Sequence, residues 1–291
     1  MKIAGIIVLY NPNIIEVKNN IETYINQVEK LYIIDNSDNE IQFIENNDKI
    51  FYFFNNGNQG IANALNKGIQ FAKKDQMDWV LLIDQDSCVH ANFINTMISF
   101  LENNQEEKIG ILSPDVKWSK NTEYIINDVK KTKKVFTAIT SGSLLNLDII
   151  DIIGFFEEFL FIDWVDIDYC LRINLSGYCI IQIPEIYLTH QLGDCEEIKI
   201  FGKHIAYIYH HVPLRKYYIT RNLFYMKKKY KKQYPEYYKK LQRTVLFNIF
   251  KIVFFEKNKI KKIRASYLGY IDYKNNIFGK IDEKKQEKIE K

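Results

Sequence analysis

The chain has 291 residues, of which 47% are hydrophobic and 26% charged. That is the balance of a globular protein with one large domain and an appendage, or two modest domains. The net charge of +4 conceals an asymmetry: residues 216–291 hold 22 Lys and Arg against 7 Asp and Glu, while residues 1–215 hold 18 against 29. A basic tail on an acidic body points to an anionic surface partner, phospholipid or nucleic acid. Cys88, Cys170, Cys179 and Cys195 form no CxxC and no zinc spacing, which excludes a zinc module and favours reduced thiols in a cytosolic protein. The apolar run at residues 3–10 ends in Asn-Pro and is too short for a signal peptide, and no run reaches the roughly 18 apolar residues that span a bilayer.

Taken in order, IAGIIVLYNP reads as a buried strand closed by a turn. Helical spacing follows over residues 14–28, with Ile14, Val17, Ile21, Ile25 and Val28 in phase. LYIIDNSD is a second strand ending in Asp35-Asn36-Ser37, and IFYFF a third at residues 50–54. A Gly/Asn-rich turn then opens a helix whose inner face is Ile61, Ala64 or Leu65, Ile69 and Ala72. WVLLIDQDS is the fourth strand, and residues 91–101 the next helix. This β-α-β-β-α-β order with short connections predicts an α/β fold with a mostly parallel, doubly wound sheet.

Three of these strands end in polar clusters: Tyr10-Asn11, Asp35-Asn36 and Asp84-Gln85-Asp86. In an open α/β sheet such ends converge on the ligand crevice. No GxGxxG follows the first strand and no GxxxxGK[ST] occurs, so a Rossmann dehydrogenase and a P-loop enzyme are both disfavoured. The Asp-x-Asp spacing suits a hard divalent cation whose remaining ligands are phosphate oxygens and water. Read by itself, it is more often an ordinary strand end running into a turn.

Further along, VFTAITSGSLLN (135–146) reads as one strand with a kink at Ser141-Gly142. Asp163, Asp166 and Asp168 then sit among aromatics, just before a helix whose apolar face is Ile167, Cys170, Leu171 and Leu175 and which Gly177 closes. Capping and the helix dipole favour acids at that position, although their number exceeds what a cap requires. YCIIQIPEIYLTH reads as a strand pair with His190 at its end.

With these residues laid out, the chain resembles the inverting nucleotide-sugar glycosyltransferases of family 2, which have the GT-A fold. Within that family it looks most like the bacterial rhamnosyltransferases of surface-polysaccharide assembly. The resemblance covers residues 3–225, and its parts stand in the family's order: VLYNP, IIDNSD, the NxGNxGIAxAxNxGI segment at 55–69, LLIDQDS, FIDWVDIDYCLR, THQLGD and YYITRN. One departure is Val165-Asp166, where many members carry Glu-Asp.

The resemblance implies a GT-A domain at residues 1–215 and a basic, partly amphipathic helical region at 216–291. It implies Mg²⁺ or Mn²⁺ held by Asp84, Asp86 and His190, with Asp166 as general base and Asp163 and Asp168 as its rivals. Tyr10, Asn11, Asp35, Asn36, Asn58, Asn66, Gln85 and Arg221 are the expected donor contacts, with Arg221 as a clamp on the diphosphate. Trp164 and Asp168 are the expected acceptor contacts, Asp168 being alternatively a partner of Arg172. The implied partners are dTDP-L-rhamnose, a glycan or lipid-linked glycan acceptor and an anionic membrane surface, at the cytoplasmic face of the cell membrane. Homo-oligomerisation is left open.

The tail adds an apolar stretch, TVLFNIFKIVFF (244–255), with lysine-rich flanks, too short to span but suited to lie at a membrane surface. Three other readings compete: a UDP-hexose donor, a non-catalytic scaffold with a decayed transferase domain, and a nucleic-acid binder using the Tyr-rich basic tail. The last leaves the converging acids of the first 190 residues without a role.

Overall fold

A computed structural model describes residues 1–42, 47–119, 131–191, 195–200, 203–209, 212–239, 241 and 256–291. Side chains at 116–119, 189–191, 195–200 and 203–209 lie outside that description, as does the whole of the 244–255 stretch. Two compact units emerge: residues 1–158 with 165–191, and residues 159–164 with 192–291.

The first unit is a mixed α/β layer built on nine strands among the described residues. Its parallel half has the order β3-β2-β1-β4, from Ile50–Phe54, Lys30–Asp35, Ile3–Leu9 and Trp79–Asp84. Here β1 pairs with β2 and β4 so that Leu9 lies opposite Asp35 and Val8 opposite Asp84. These strands are continuous apolar runs because helices cover the sheet: α1 (Ile14–Glu22) buries Val17 and Ile21, and α2 (Ile61–Lys74) buries Ala64, Leu65, Ile69 and Ala72. The expected helix over 14–28 stops at Glu22 and gives way to a 3₁₀ turn at Ile25–Gln27. Asn13 caps its start, the side-chain oxygen accepting from the backbone N–H groups of Ile15 and Glu16.

The other half is antiparallel in part. After β5 (Ser87–Val89) and α3 (Phe93–Asn103) come β6 (Ile109–Ser119), β7 (Lys133–Val135), β8 (Ser143–Asn146) and β9 (Cys179–Gln191). Of the segment expected as one kinked strand at 135–146, only the two ends are strand: Val135 closes β7, which pairs with β9, and Ser143–Asn146 is β8, between β4 and β6. Gly142 explains the break: its φ is +75°, and an added Cβ would sit 2.9 Å from the Pro114 side chain. Its N–H donates to the Leu82 carbonyl, starting β8.

The expected strand pair YCIIQIPEIYLTH is a single strand, β9. Pro184 is tolerated because the register against β6 jumps from Pro114↔Ile183 to Asp115↔Tyr187, a bulge that leaves residues 184–186 without ladder partners on that side. Between β8 and β9 lie the short α4 (Ile150–Ile153) and α5 (Val165–Leu175). Leu175, expected on the apolar face of α5, is exposed, and Ile173 takes its place in the core.

In the second unit β10 (Cys195–Ile200) and β11 (Lys203–Tyr209) form an antiparallel pair. Among the described residues its helices include α6 (Pro213–Tyr230), α7 (Lys259–Lys274) and α8 (Glu283–Glu290). Helices α6 and α7 approach closely where Gly269 meets the Tyr217 backbone, since a Cβ there would collide with the Tyr217 carbonyl oxygen.

Candidate functional site

The pairing of β2, β1 and β4 brings the three polar strand ends side by side, as the sequence pattern predicts. Gln85 ties two of them: its Oε1 accepts from the Tyr10 N–H at 2.8 Å, and the Asn20 side chain donates to its carbonyl. Asn11 stands at φ +43°, its N–H donating to the Ser37 hydroxyl and its side chain to Asp38. Tyr10 and Asn11 are exposed, whereas Asp84, Gln85 and Asp86 are half-buried. The Asp84 N–H donates to Ser141 Oγ, and that hydroxyl donates to Ser87 Oγ, so the β4 end is fastened to the start of β8.

Asp35 is wholly enclosed. It accepts from the N–H groups of Ser37 and Ile41 and from the Tyr52 hydroxyl at 2.5 Å. Burial, with this hydrogen bond and the nearby carboxylate charge, pushes the Tyr52 hydroxyl well above its ordinary pKa.

Asn36 is a brace, its amide donating to the Gly60 carbonyl and accepting from Asn55. A chain of polar contacts continues through Asn55 to Asn63 and then to Glu158. Asn66, expected at the donor, is instead buried and saturated: it donates to the Phe156 carbonyl and Glu158 and accepts from the Phe156 N–H. Asn58 forms a local turn, accepting from the Gly60 N–H ahead of α2. Glu158, Asn55 and Asn63 were missed by sequence reasoning; no pattern marks Glu158 as the shared partner of Asn63 and Asn66, 95 and 92 residues away in the chain.

On the metal side, Asp84 and Asp86 present hard oxygen donors at the end of β4, a donor set that fits Mg²⁺ or Mn²⁺. Strand β9 sets the backbone of His190 opposite Ser87, one residue beyond Asp86. The His190 side chain lies outside the described residues, and among those described no group of three or more His, Cys, Asp or Glu side chains is gathered as a metal site.

Asp166 is the second residue of α5, half-buried, with its carboxylate accepting from the Ile167 N–H. Asp168, expected as an acceptor contact or alternatively as a partner of Arg172, is corrected to the second: it is 0% exposed and accepts from Arg172 Nε at 2.8 Å. The same guanidinium donates to the carbonyls of Ile153 and Phe155, so the pair locks α5 to the loop after α4. Cys170, on the same helix, is an inert thiol whose pKa burial pushes up to about 12.

In the second unit, Arg221 is likewise corrected. It has no exposed surface and donates to the carbonyls of Gly279, Phe159 and Leu160, with its guanidinium against the Tyr217, Tyr218 and Phe278 rings. A side chain so enclosed is not a clamp for a diphosphate. Asn222 donates to the carbonyls of Leu160, Ile162 and Asp163. Together they hold a segment in which Phe161, Asp163 and Trp164 all have positive φ, a costly conformation for such residues. Trp164 donates its indole N–H to the Ile219 carbonyl and keeps part of its ring exposed. Burial raises the Asp163 pKa, although the Arg215 guanidinium pairs with it and opposes the shift.

A parallel β3-β2-β1-β4 half with polar strand ends, an Asp-x-Asp closing β4, and a mixed half carrying an acidic helix start define the GT-A class of glycosyltransferase folds. The chain belongs to glycosyl transferase family 2, whose model matches residues 6–151. It is similar to the dTDP-rhamnosyl transferase RfbF of Shigella flexneri, with 28% identity over 302 residues that cover 95% of this chain and 97% of that protein. Among solved structures it is similar to S. aureus TarS 1-349, with a TM-score of 0.58, 14% identity, and coverage of 94% of this chain and 81% of that one. It is also similar to GalNAc-T7, crystallised with UDP, GalNAc and Mn²⁺, with a TM-score of 0.56, 13% identity, and coverage of 76% and 47%. Both likenesses concern the fold.

Proposed function

We propose that this glycosyltransferase moves L-rhamnose from dTDP-L-rhamnose, with inversion, onto a hydroxyl of a growing, lipid-linked surface glycan at the cytoplasmic face of the membrane. The observation that carries the reading is the junction of β1, β2 and β4, where Tyr10-Asn11 and Asp84-Gln85-Asp86 share one edge braced from below by the buried Asp35 and Asn36. The donor class is supported by similarity, over nearly the whole length, to a relative named for dTDP-rhamnosyl transfer.

The chemistry is a single displacement. The acceptor oxygen attacks the anomeric carbon, the bond from that carbon to the diphosphate oxygen breaks, and the acceptor proton passes to the Asp166 carboxylate. Asp84 and Asp86 would hold a divalent ion, which would supply charge neutralisation for the departing diphosphate. Asp166 sits at a helix start whose direction is fixed by the Asp168–Arg172 lock. Trp164 offers a ring face for a sugar. Attachment to an anionic lipid surface accords with the basic composition of residues 216–291.

The test is a thermal-shift panel of nucleotide-sugars with and without Mg²⁺ or Mn²⁺. A ligand of the folded state raises the midpoint with the logarithm of its saturation. dTDP-rhamnose should stabilise the chain only with metal, and Asp86→Ala should abolish the shift. A shift by a UDP-hexose instead would replace the donor, and a panel without any shift would favour the scaffold reading.

A further inference from the structure

We propose that helix α7 docks the chain onto an anionic lipid surface through the face that carries Ile260, Ile263, Tyr267 and Tyr270. The proposal deepens, and rests on, the reading that the acceptor is lipid-linked; it names the surface that meets the lipid.

Helix α7 has two opposed faces. Lys262, Ala265, Gly269 and Asp272 are buried, a 3-4-3 spacing that marks one side of a helix. Gly269 sets that side against α6 through its close approach to the Tyr217 backbone. Residues 260, 263, 267 and 270 repeat the same spacing on the opposite side, and their exposures are 75%, 51%, 62% and 36%. Four large apolar or aromatic side chains thus form one stripe about 15 Å long. Phe224 stands edge-on to the Tyr270 ring at 4.8 Å, which fixes one border of the stripe.

The charges around the stripe favour one occupant. Lys257, Lys259, Arg264 and Lys274 are all exposed along or beside it. The only acid of α7, Asp272, is buried and committed to the Tyr217 hydroxyl and Lys285. An apolar stripe rimmed by cations with no countering carboxylate on the helix is complementary to an anionic headgroup layer over acyl chains. The isoleucines enter the acyl boundary, the tyrosines settle at headgroup depth, and the long cationic side chains reach the phosphates. Nucleic acid would use the cations and rings but has no site for two exposed isoleucines. A second copy placed two-fold on this face would bring like charges together.

The experiment is co-sedimentation of the full chain with vesicles of phosphatidylcholine, alone or with phosphatidylglycerol added. The chain should bind the anionic vesicles, less so as salt rises, and the Ile263→Glu/Tyr267→Glu double variant should bind at least about tenfold more weakly. Both positions are exposed, so the variant should keep its melting temperature; if it melts early, Ile260→Ser/Ile263→Ser replaces it. Wild-type protein that ignores anionic vesicles, or a folded variant that binds them as well as wild type, overturns the proposal. So does duplex-DNA binding, or a dimer in solution, that is lost in the variant while vesicles are ignored. The donor-induced thermal shift, measured on the same samples, should be unchanged in the variant. Its absence from both proteins would strike the transferase reading and leave the vesicle result to stand or fall by itself.

Discussion

Gln85, the middle residue of the Asp84-Gln85-Asp86 run, accepts with its side-chain oxygen from the backbone N–H of Tyr10 at 2.8 Å. One side chain therefore fixes the spacing between the ends of β1 and β4, where the proposed donor would bind. Gln85→Ala leaves the Tyr10 N–H without this partner and should cost about 1 kcal/mol of stability. It should also weaken donor affinity, whereas Gln85→Glu, which keeps the acceptor, should restore the stability. Urea denaturation and a donor-binding isotherm separate the two effects; an alanine variant with native donor affinity would remove Gln85 from the site.

Asp166 is the group to which the acceptor proton is assigned. Asp166→Asn keeps the shape but cannot take a proton, so transfer should fall by about 10²- to 10⁴-fold with donor affinity preserved. Asp163→Asn should lose far less turnover, because its carboxylate is paired with Arg215. The reverse ranking of the two variants would exchange their roles.

Asp168 and Arg172 form a lock with no exposed carboxylate surface. Removing one partner leaves a buried charge, so Arg172→Ala should lower stability by about 3–5 kcal/mol. Asp168→Asn should lower the melting temperature without raising the acceptor KM beyond what the loss of folded protein explains. A specific rise in acceptor KM would return Asp168 to the acceptor site.

Arg221 tests the opposite assumption about a basic residue near the end of a family resemblance. A diphosphate clamp replaced by lysine would weaken donor binding. A buried fork that spans three carbonyls would instead lose stability, because an ammonium cannot reproduce the planar geometry. Arg221→Lys should therefore destabilise by about 2 kcal/mol or more with donor affinity per folded molecule unchanged.

Glu256 is buried between Lys216 at 3.1 Å and Lys262 at 2.6 Å. Burial alone would raise its pKa, but the two ammonium groups outweigh it and hold the folded value below the ordinary 4.5. A depressed folded pKa contributes stability that is present above the unfolded value and is lost as pH falls through the folded one. Glu256→Gln should thus cost about 3–5 kcal/mol at neutral pH, with the gap to wild type narrowing below about pH 4.5. Denaturation curves at several pH values check this, and a constant gap would sink it.

How much of this was legible in the sequence follows physical range. Strands β1, β2 and β4 were readable because a strand buried on both faces is apolar at every position. Their shared edge followed from the polar residues that end each run. The division of residues 135–146 was not readable, because it depends on Pro114 lying against Gly142. The hub at Arg221 was hidden for the same reason, its carbonyl partners lying 58 to 62 residues away. Local pattern shows which groups are polar and where they begin; it does not show whether a distant carbonyl has already claimed them.

The bulge in β9 has a consequence for how this chain can change. Before it, Ile180–Ile183 follow one register against β6, and after it Tyr187–Gln191 follow another. The two stretches are geared separately, so residues 184–186 work like the sliding scale of a vernier. Deleting one of them would leave the core rows at Ile180 and Ile183 in place. It would shift the distal stretch by one residue, placing Gln191 rather than His190 opposite Ser87. The same shift would turn the fully buried Leu188 to the other face of the sheet, so the length of the bulge is held by the core as well as by the rim.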